Sequence, residues 1–82
     1  MIKENFDVSI VGGFGHVGLP LGLMFASKNI KTLLIDINKE HYNKILNGKM
    51  PFVEYESLNS LKKTLKNKKL QLSLNFEDVK RS

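Results

Sequence analysis

The chain contains no cysteine, which removes disulfides, thiolate metal sites and a cysteine nucleophile at once. A reducing compartment is compatible with that, and a cytoplasmic location is the expectation. Long apolar runs are also missing. The longest, Val17 to Ala26, is interrupted by Gly18, Pro20 and Gly22 and is far too short to cross a bilayer. Glu4 and Asp7 break the N-terminus and a glycine-rich stretch follows directly, so no export signal is discernible. Internal repeats and low-complexity linkers are lacking too. What is left is one small domain over residues 1–82, 41% hydrophobic, close to the size at which a single core is only marginal. No membrane partner is expected.

Acidic residues are the minority, and 13 Lys+Arg against 8 Asp+Glu leave a net charge of +5. Lys62, Lys63, Lys66, Lys68 and Lys69 cluster, and a basic stripe is one way to track phosphates. These lysines surround Leu58, Leu61 and Leu65, which fall at helical spacing. They therefore read as the wet side of an amphipathic helix. No aromatic residues are interleaved for base stacking, and no nucleic-acid partner is expected.

What is present is Gly13, Gly15 and Gly18 in the pattern G-x-G-x-x-G, with Asp36 at the end of the next apolar run. Phe6 to Val11 is apolar and β-branched enough for a buried parallel strand. Gly13 is placed where the chain must reverse sharply. Gly15 leaves room for a pyrophosphate to approach the backbone, and Gly18 lets the next helix pack closely. That helix is expected over about Val17 to Lys28, with Leu19, Leu23, Met24 and Phe25 as its apolar face and Asn29 as its stop. Its open N–H groups and dipole would face the anion. Pro20 suits its first turn, where an N–H has no intrahelical partner.

Thr32 to Ile35 reads as the next strand, Lys39 to Leu46 as a helix ended by Asn47-Gly48, Leu58 to Leu65 as another helix, and Leu70 to Leu74 as an alternating strand. The fold class is α/β, a Rossmann-type parallel sheet of which this is the first β-α-β-α-β half. Asp36 is positioned to accept hydrogen bonds from adenosine ribose hydroxyls and to repel a 2′-phosphate, which predicts NAD over NADP. Asp36 also reads as a capping aspartate for the helix beginning near Lys39.

Three segments together carry a more specific signal: Gly13-Phe14-Gly15-His16-Val17-Gly18-Leu19-Pro20-Leu21, then Asp36-Ile37-Asn38, then Asn47-Gly48-Lys49-Met50-Pro51-Phe52-Val53-Glu54. From about Val8 to Val79 the chain resembles the opening of the UDP-glucose/GDP-mannose dehydrogenase family. The resemblance implies oxidation of the 6-hydroxyl of a nucleotide-sugar to a carboxylate with two NAD⁺ per turnover, in surface-polysaccharide precursor synthesis. NAD and a nucleotide-sugar are the partners it implies. It places the pyrophosphate loop on Gly13, Phe14, Gly15, His16, Val17 and Gly18, with Val17 lining the cofactor, and the ribose-binding acid on Asp36. A basic residue usual five positions after that acid falls on His41, which reads equally as an exposed helix residue. His16 replaces the usual tyrosine and has a positional role. Relatives usually read glutamate-proline-glycine-leucine where this chain has Glu54-Tyr55-Glu56-Ser57-Leu58, and Glu54 reads as a capping or surface acid.

The resemblance also implies a cysteine nucleophile and a lysine in a much longer chain, so residues 1–82 alone are expected to be inactive. A fourth strand would begin near Asp78 to Ser82 and pair beside the first. Without it the first strand is an apolar edge, and marginal stability, self-association or a need for the missing domains is expected. Two other readings stay open: another Rossmann dehydrogenase of the 3-hydroxyacyl-CoA or 6-phosphogluconate type, and a dinucleotide-binding module without turnover.

Overall fold

The computed structural model describes residues 5–51 and 58–81. The elements run β1 (Val8–Val11), α1 (Gly18–Ser27), β2 (Thr32–Ile35), α2 (Lys39–Leu46), α3 (Leu58–Lys66), β3 (Leu70–Ser73) and a 3₁₀ helix (Phe76–Arg81). The strands form one parallel sheet in the order β1-β2-β3. Val8 lies opposite Thr32 and Val11 opposite Ile35, while Thr32 lies opposite Leu70 and Ile35 opposite Ser73. The carboxyl ends of all three strands are therefore level, and the loops leaving them meet at one edge of the sheet.

β2 is the centre of the structure, and its sequence shows why. Thr32, Leu33, Leu34 and Ile35 are all fully buried, as expected of a parallel strand covered on both faces. Alternation sends Leu34 into the larger core with Leu19, Leu23 and Ala26 of α1, Ile45 of α2, Leu61 of α3, and Leu70 and Leu72 of β3. Leu33 and Ile35 point the other way and pack with Phe6. The helices thus share one face of the sheet. The 3₁₀ helix packs against β1 and β2, and its exit from β3 is fixed where the Ser73 hydroxyl donates to Asp78 Oδ2 at 2.5 Å. β1 and β3 are the two edge strands, and β1 is half-buried along its length and exposed at Val11.

Two features differ from the sequence expectation, the start of β1 and the buried face of α1. The strand ladder starts at Val8 because the amides of Asp7 and Val8 both donate to the Lys31 carbonyl, at 2.9 and 3.3 Å, which breaks the regular spacing before it. Phe6 lies outside β1 and is buried against the opposite face. On α1, Met24 is exposed while Leu19, Gly22, Leu23 and Ala26 are buried. That stripe is the i, i+3, i+4, i+7 face, and Met24 lies one residue around from it.

The helices end alike. Asn29, Gly48 and Lys68 follow α1, α2 and α3 in left-handed conformation, at φ of 69°, 75° and 64°. After α1, the amide of Asn29 donates to the Ala26 carbonyl and that of Ile30 to the Phe25 carbonyl; after α2, Gly48 reaches Ile45 and Lys49 reaches Lys44. Both are Schellman turns, which satisfy carbonyls a helix end would leave open. Among the described residues, no helix is long and apolar enough to cross a membrane.

Candidate functional site

The loop from β1 to α1 folds back over the end of β2. Gly12, with φ at 78°, is its left-handed residue, and the amides of Gly12 and Gly13 both donate to the Ile35 carbonyl, at 2.7 and 3.1 Å. A Cβ at Gly13 would lie 2.7 Å from the Leu34 Cβ and 2.9 Å from the Ile10 carbonyl oxygen. At Gly18 it would lie 2.5 Å from the Gly12 carbonyl oxygen and 2.8 Å from the Gly13 Cα. Those two glycines are required by the chain's own backbone, which has no freedom to move aside. Gly15 is different. A Cβ there would meet only the Gly12 carbonyl oxygen, at an ordinary 3.6 Å. Nothing among the described residues demands glycine at that position, which is half-buried.

The start of α1 is open. Val17 is its N-cap residue and no side chain caps it. Leu19 donates to the Gly15 carbonyl at 3.0 Å and Leu21 to the Val17 carbonyl at 3.2 Å. Just ahead of them, the amides of Val17 and Gly18 have no hydrogen-bond partner among the described residues. Unpaired donors at the positive end of a helix dipole form an anion site. Pro20, third in the helix, has no N–H to add.

Asp36, the first residue after β2, turns its carboxylate toward this loop. Its Oδ2 accepts from the Phe14 amide at 3.2 Å and its Oδ1 from the Ile37 amide at 2.7 Å. The cap of α2 is Asn38, whose Oδ1 accepts from the His41 amide at 3.0 Å, so the capping role considered for Asp36 belongs to its neighbour two residues on. His41 is half-buried, and its Nδ1 lies 3.1 Å from the Phe14 carbonyl oxygen. It is not an exposed helix residue. Since a carbonyl only accepts, Nδ1 carries the proton in this contact.

The sequence-derived residues thus converge on one rim, with one qualification. The Phe14 ring is fully buried, with its centroid 5.9 Å from that of Tyr42, so only its backbone belongs to the loop surface. Val17 is 79% exposed and His16 is exposed beside it. Glu54 lies outside the described residues. Lys62, Lys63 and Lys66 are exposed on α3, opposite buried Leu61 and Thr64.

Four contributors were missed in the sequence. Gly12 follows the apolar run directly and the doublet Gly12-Gly13 is a visible sign of a left-handed turn. Asn38, three residues before His41, has ordinary N-cap spacing. Gly22 holds its place because a Cβ there would run into the Leu34 side chain. Tyr42 carries no local signal.

A parallel β-α-β unit with a glycine turn, an open helix start and a carboxylate at the end of the second strand defines a Rossmann-type dinucleotide-binding domain. The chain belongs to the UDP-glucose/GDP-mannose dehydrogenase family, with residues 6–82 matching its NAD binding domain. It is 37% identical over 70 residues to a UDP-N-acetyl-D-mannosamine dehydrogenase of Pyrococcus horikoshii, covering 85% of this chain and 17% of that protein. A protein of the same description from Campylobacter jejuni is 41% identical over 51 residues, 62% of this chain and 12% of its own. The native structure of the UDP-N-acetyl-mannosamine dehydrogenase Cap5O from Staphylococcus aureus superposes with a TM-score of 0.75 at 32% identity, over 80% of this chain and 16% of that one. The chain thus spans about a sixth of the length of such relatives. NAD is the cofactor of the matched domain, and the local geometry fits it: two unpartnered amides, a glycine whose Cβ position meets no clash and a carboxylate share one rim.

Proposed function

We propose that these residues are the cofactor-binding part of a nucleotide-sugar 6-dehydrogenase whose substrate is a UDP-N-acetylhexosamine of the mannosamine type. The relatives' names support the sugar. In the full reaction the sugar's CH₂OH becomes a carboxylate in two two-electron oxidations, with water supplying the second oxygen. NAD⁺, when bound, supplies the hydride acceptor for each.

The roles of this chain follow from its geometry. The amides of Val17 and Gly18, with the bare backbone at Gly15, hold the diphosphate. Gly13 and Gly18 let the loop close down on β2 so that those amides face one point. The Asp36 carboxylate accepts from the adenosine ribose hydroxyls and repels a 2′-phosphate. Ile37, 69% exposed beside it, offers apolar surface to the base. His16 and Val17 line the mouth. With no cysteine among the 82 residues, the thiol that the family resemblance implies comes from elsewhere, and this segment binds without oxidising. The open edge at β1 makes the isolated segment prone to self-association. Light scattering over a concentration series checks that, and a monomer with concentration-independent unfolding contradicts it.

One observation carries the cofactor reading: the Asp36 carboxylate lies on the amide of Phe14, in the same loop whose Val17 and Gly18 amides are open. Calorimetric titration of the intact protein with NAD and NADP tests it. NAD binds more tightly; tighter NADP binding contradicts the role of Asp36. For the sugar, UDP-N-acetylmannosamine yields two NADH per molecule oxidised, and a preference for UDP-glucose overturns that part.

A further inference from the structure

Phe14 is held at every group it has. Its amide donates to Asp36, its carbonyl accepts from His41, and its ring is sunk in the core against Tyr42. All three partners lie on the segment from the end of β2 into α2, more than twenty residues away in sequence. The carbonyl contact is to His41 Nδ1 at 3.1 Å, and further along the same loop the Gly18 amide is open, as the amide of a first helical residue ordinarily is.

We infer that His41 is a positioning residue of the dinucleotide site: with Asp36 it pins both backbone groups of Phe14 to the segment leading from β2 into α2, and so fixes the loop that presents the open Val17 and Gly18 amides to the diphosphate. This rests on the cofactor reading above. His41 acts through the loop backbone, not by touching the cofactor. Its amide is fixed by Asn38, so the ring is anchored on the first turn of α2. The neutral Nδ1–H tautomer and the imidazolium both donate from Nδ1, so the latch does not depend on a positive charge. Without it the Phe14 carbonyl loses its anchor on α2, and the loop no longer holds the Val17 and Gly18 amides fixed for a diphosphate.

The test compares H41A, H41N and H41Q in the intact protein, with NADH, ADP and adenosine as probes. An asparagine amide nitrogen falls near the position of Nδ1, whereas that of glutamine falls near Nε2. H41A and H41Q weaken NADH and ADP binding by about three- to tenfold, the range of one ordinary hydrogen bond, while H41N retains most of the affinity. Adenosine, which has no diphosphate, binds all variants alike. Equal NADH affinity in all three variants, or an equal loss in all three with H41N included, overturns the latch. ¹⁵N-histidine NMR of the free protein decides the same point without cofactor, the His41 signal being the one missing in H41N. A protonated Nδ1 supports the latch, and a neutral ring with its proton on Nε2 overturns it. Failure of the unmutated protein to bind NADH removes the cofactor reading, and the NMR result still decides the latch.

Discussion

The two ends of the sheet are built on opposite rules. At the amino end, the chain reverses from α1 into β2 and from α3 into β3 through Asn29 and Lys68, both left-handed and neither of them glycine. The backbone groups there are used up: Asn29 and Ile30 donate back into α1, Lys68 donates to the Leu65 carbonyl, and Lys69 donates to Asn67 Oδ1. At the carboxyl end, the turn from β1 to α1 spends glycines, yet it leaves the amides of Val17 and Gly18 unspent. One end closes on itself and the other is unfinished until an anion arrives. Glycine is therefore not the mark of the site. The mark is glycine together with donors that the fold declines to use.

Substitutions that blur this contrast rank by how much backbone stands in their way. Gly18→Ala is the most damaging, because its methyl would meet the Gly12 carbonyl oxygen and the Gly13 Cα, neither of which can yield. Overpacking of this kind costs about 2 kcal/mol or more, so a lowered midpoint in denaturant titration accompanies loss of NAD binding. Asp36→Ala removes the ribose acceptor and leaves the Phe14 amide unpaired. A hydrogen bond to a charged group contributes roughly 1.5–3 kcal/mol, so NAD affinity falls about ten- to hundredfold, and calorimetry shows NADP losing less than NAD.

Gly15→Ala separates the two rules most cleanly. The added methyl has room in the free protein, and the unfolding midpoint moves by no more than about 0.5 kcal/mol equivalent. NAD binding nevertheless drops more than about tenfold, since the methyl occupies the approach of the diphosphate. At the other end, Lys68→Gly relieves a left-handed lysine and stabilises the fold by about 1 kcal/mol, visible as a raised melting temperature with NAD affinity unchanged. A gain at Lys68 with a loss at Gly15 would show that conformation governs one end and ligand access the other.

Much of this architecture is legible in the sequence because it is local. The α2 boundaries follow from polar–apolar periodicity and the Asn47-Gly48 stop; the strand order follows from the alternation of strands with helices. The glycine pattern and the acid at position 36 are also local signals, each tied to an element end. What stays hidden depends on tertiary docking. No pattern around His41 announces a bond to a carbonyl 27 residues earlier, and Phe14 looks like a loop residue until Tyr42 and the core close over it. Met24 illustrates the same limit on a smaller scale, since apolar character alone does not say which of two adjacent helix positions faces the sheet. The distinction between Gly15 and its neighbours likewise needs coordinates: the three glycines are identical in the motif and differ only in what surrounds them.

The most direct test is a structure of the intact protein with NAD bound. It is predicted to show diphosphate oxygens within hydrogen-bonding distance of the Val17 and Gly18 amides, with the Asp36 carboxylate on the adenosine ribose. A diphosphate seated away from the start of α1, or a ribose that leaves Asp36 untouched, would contradict the account.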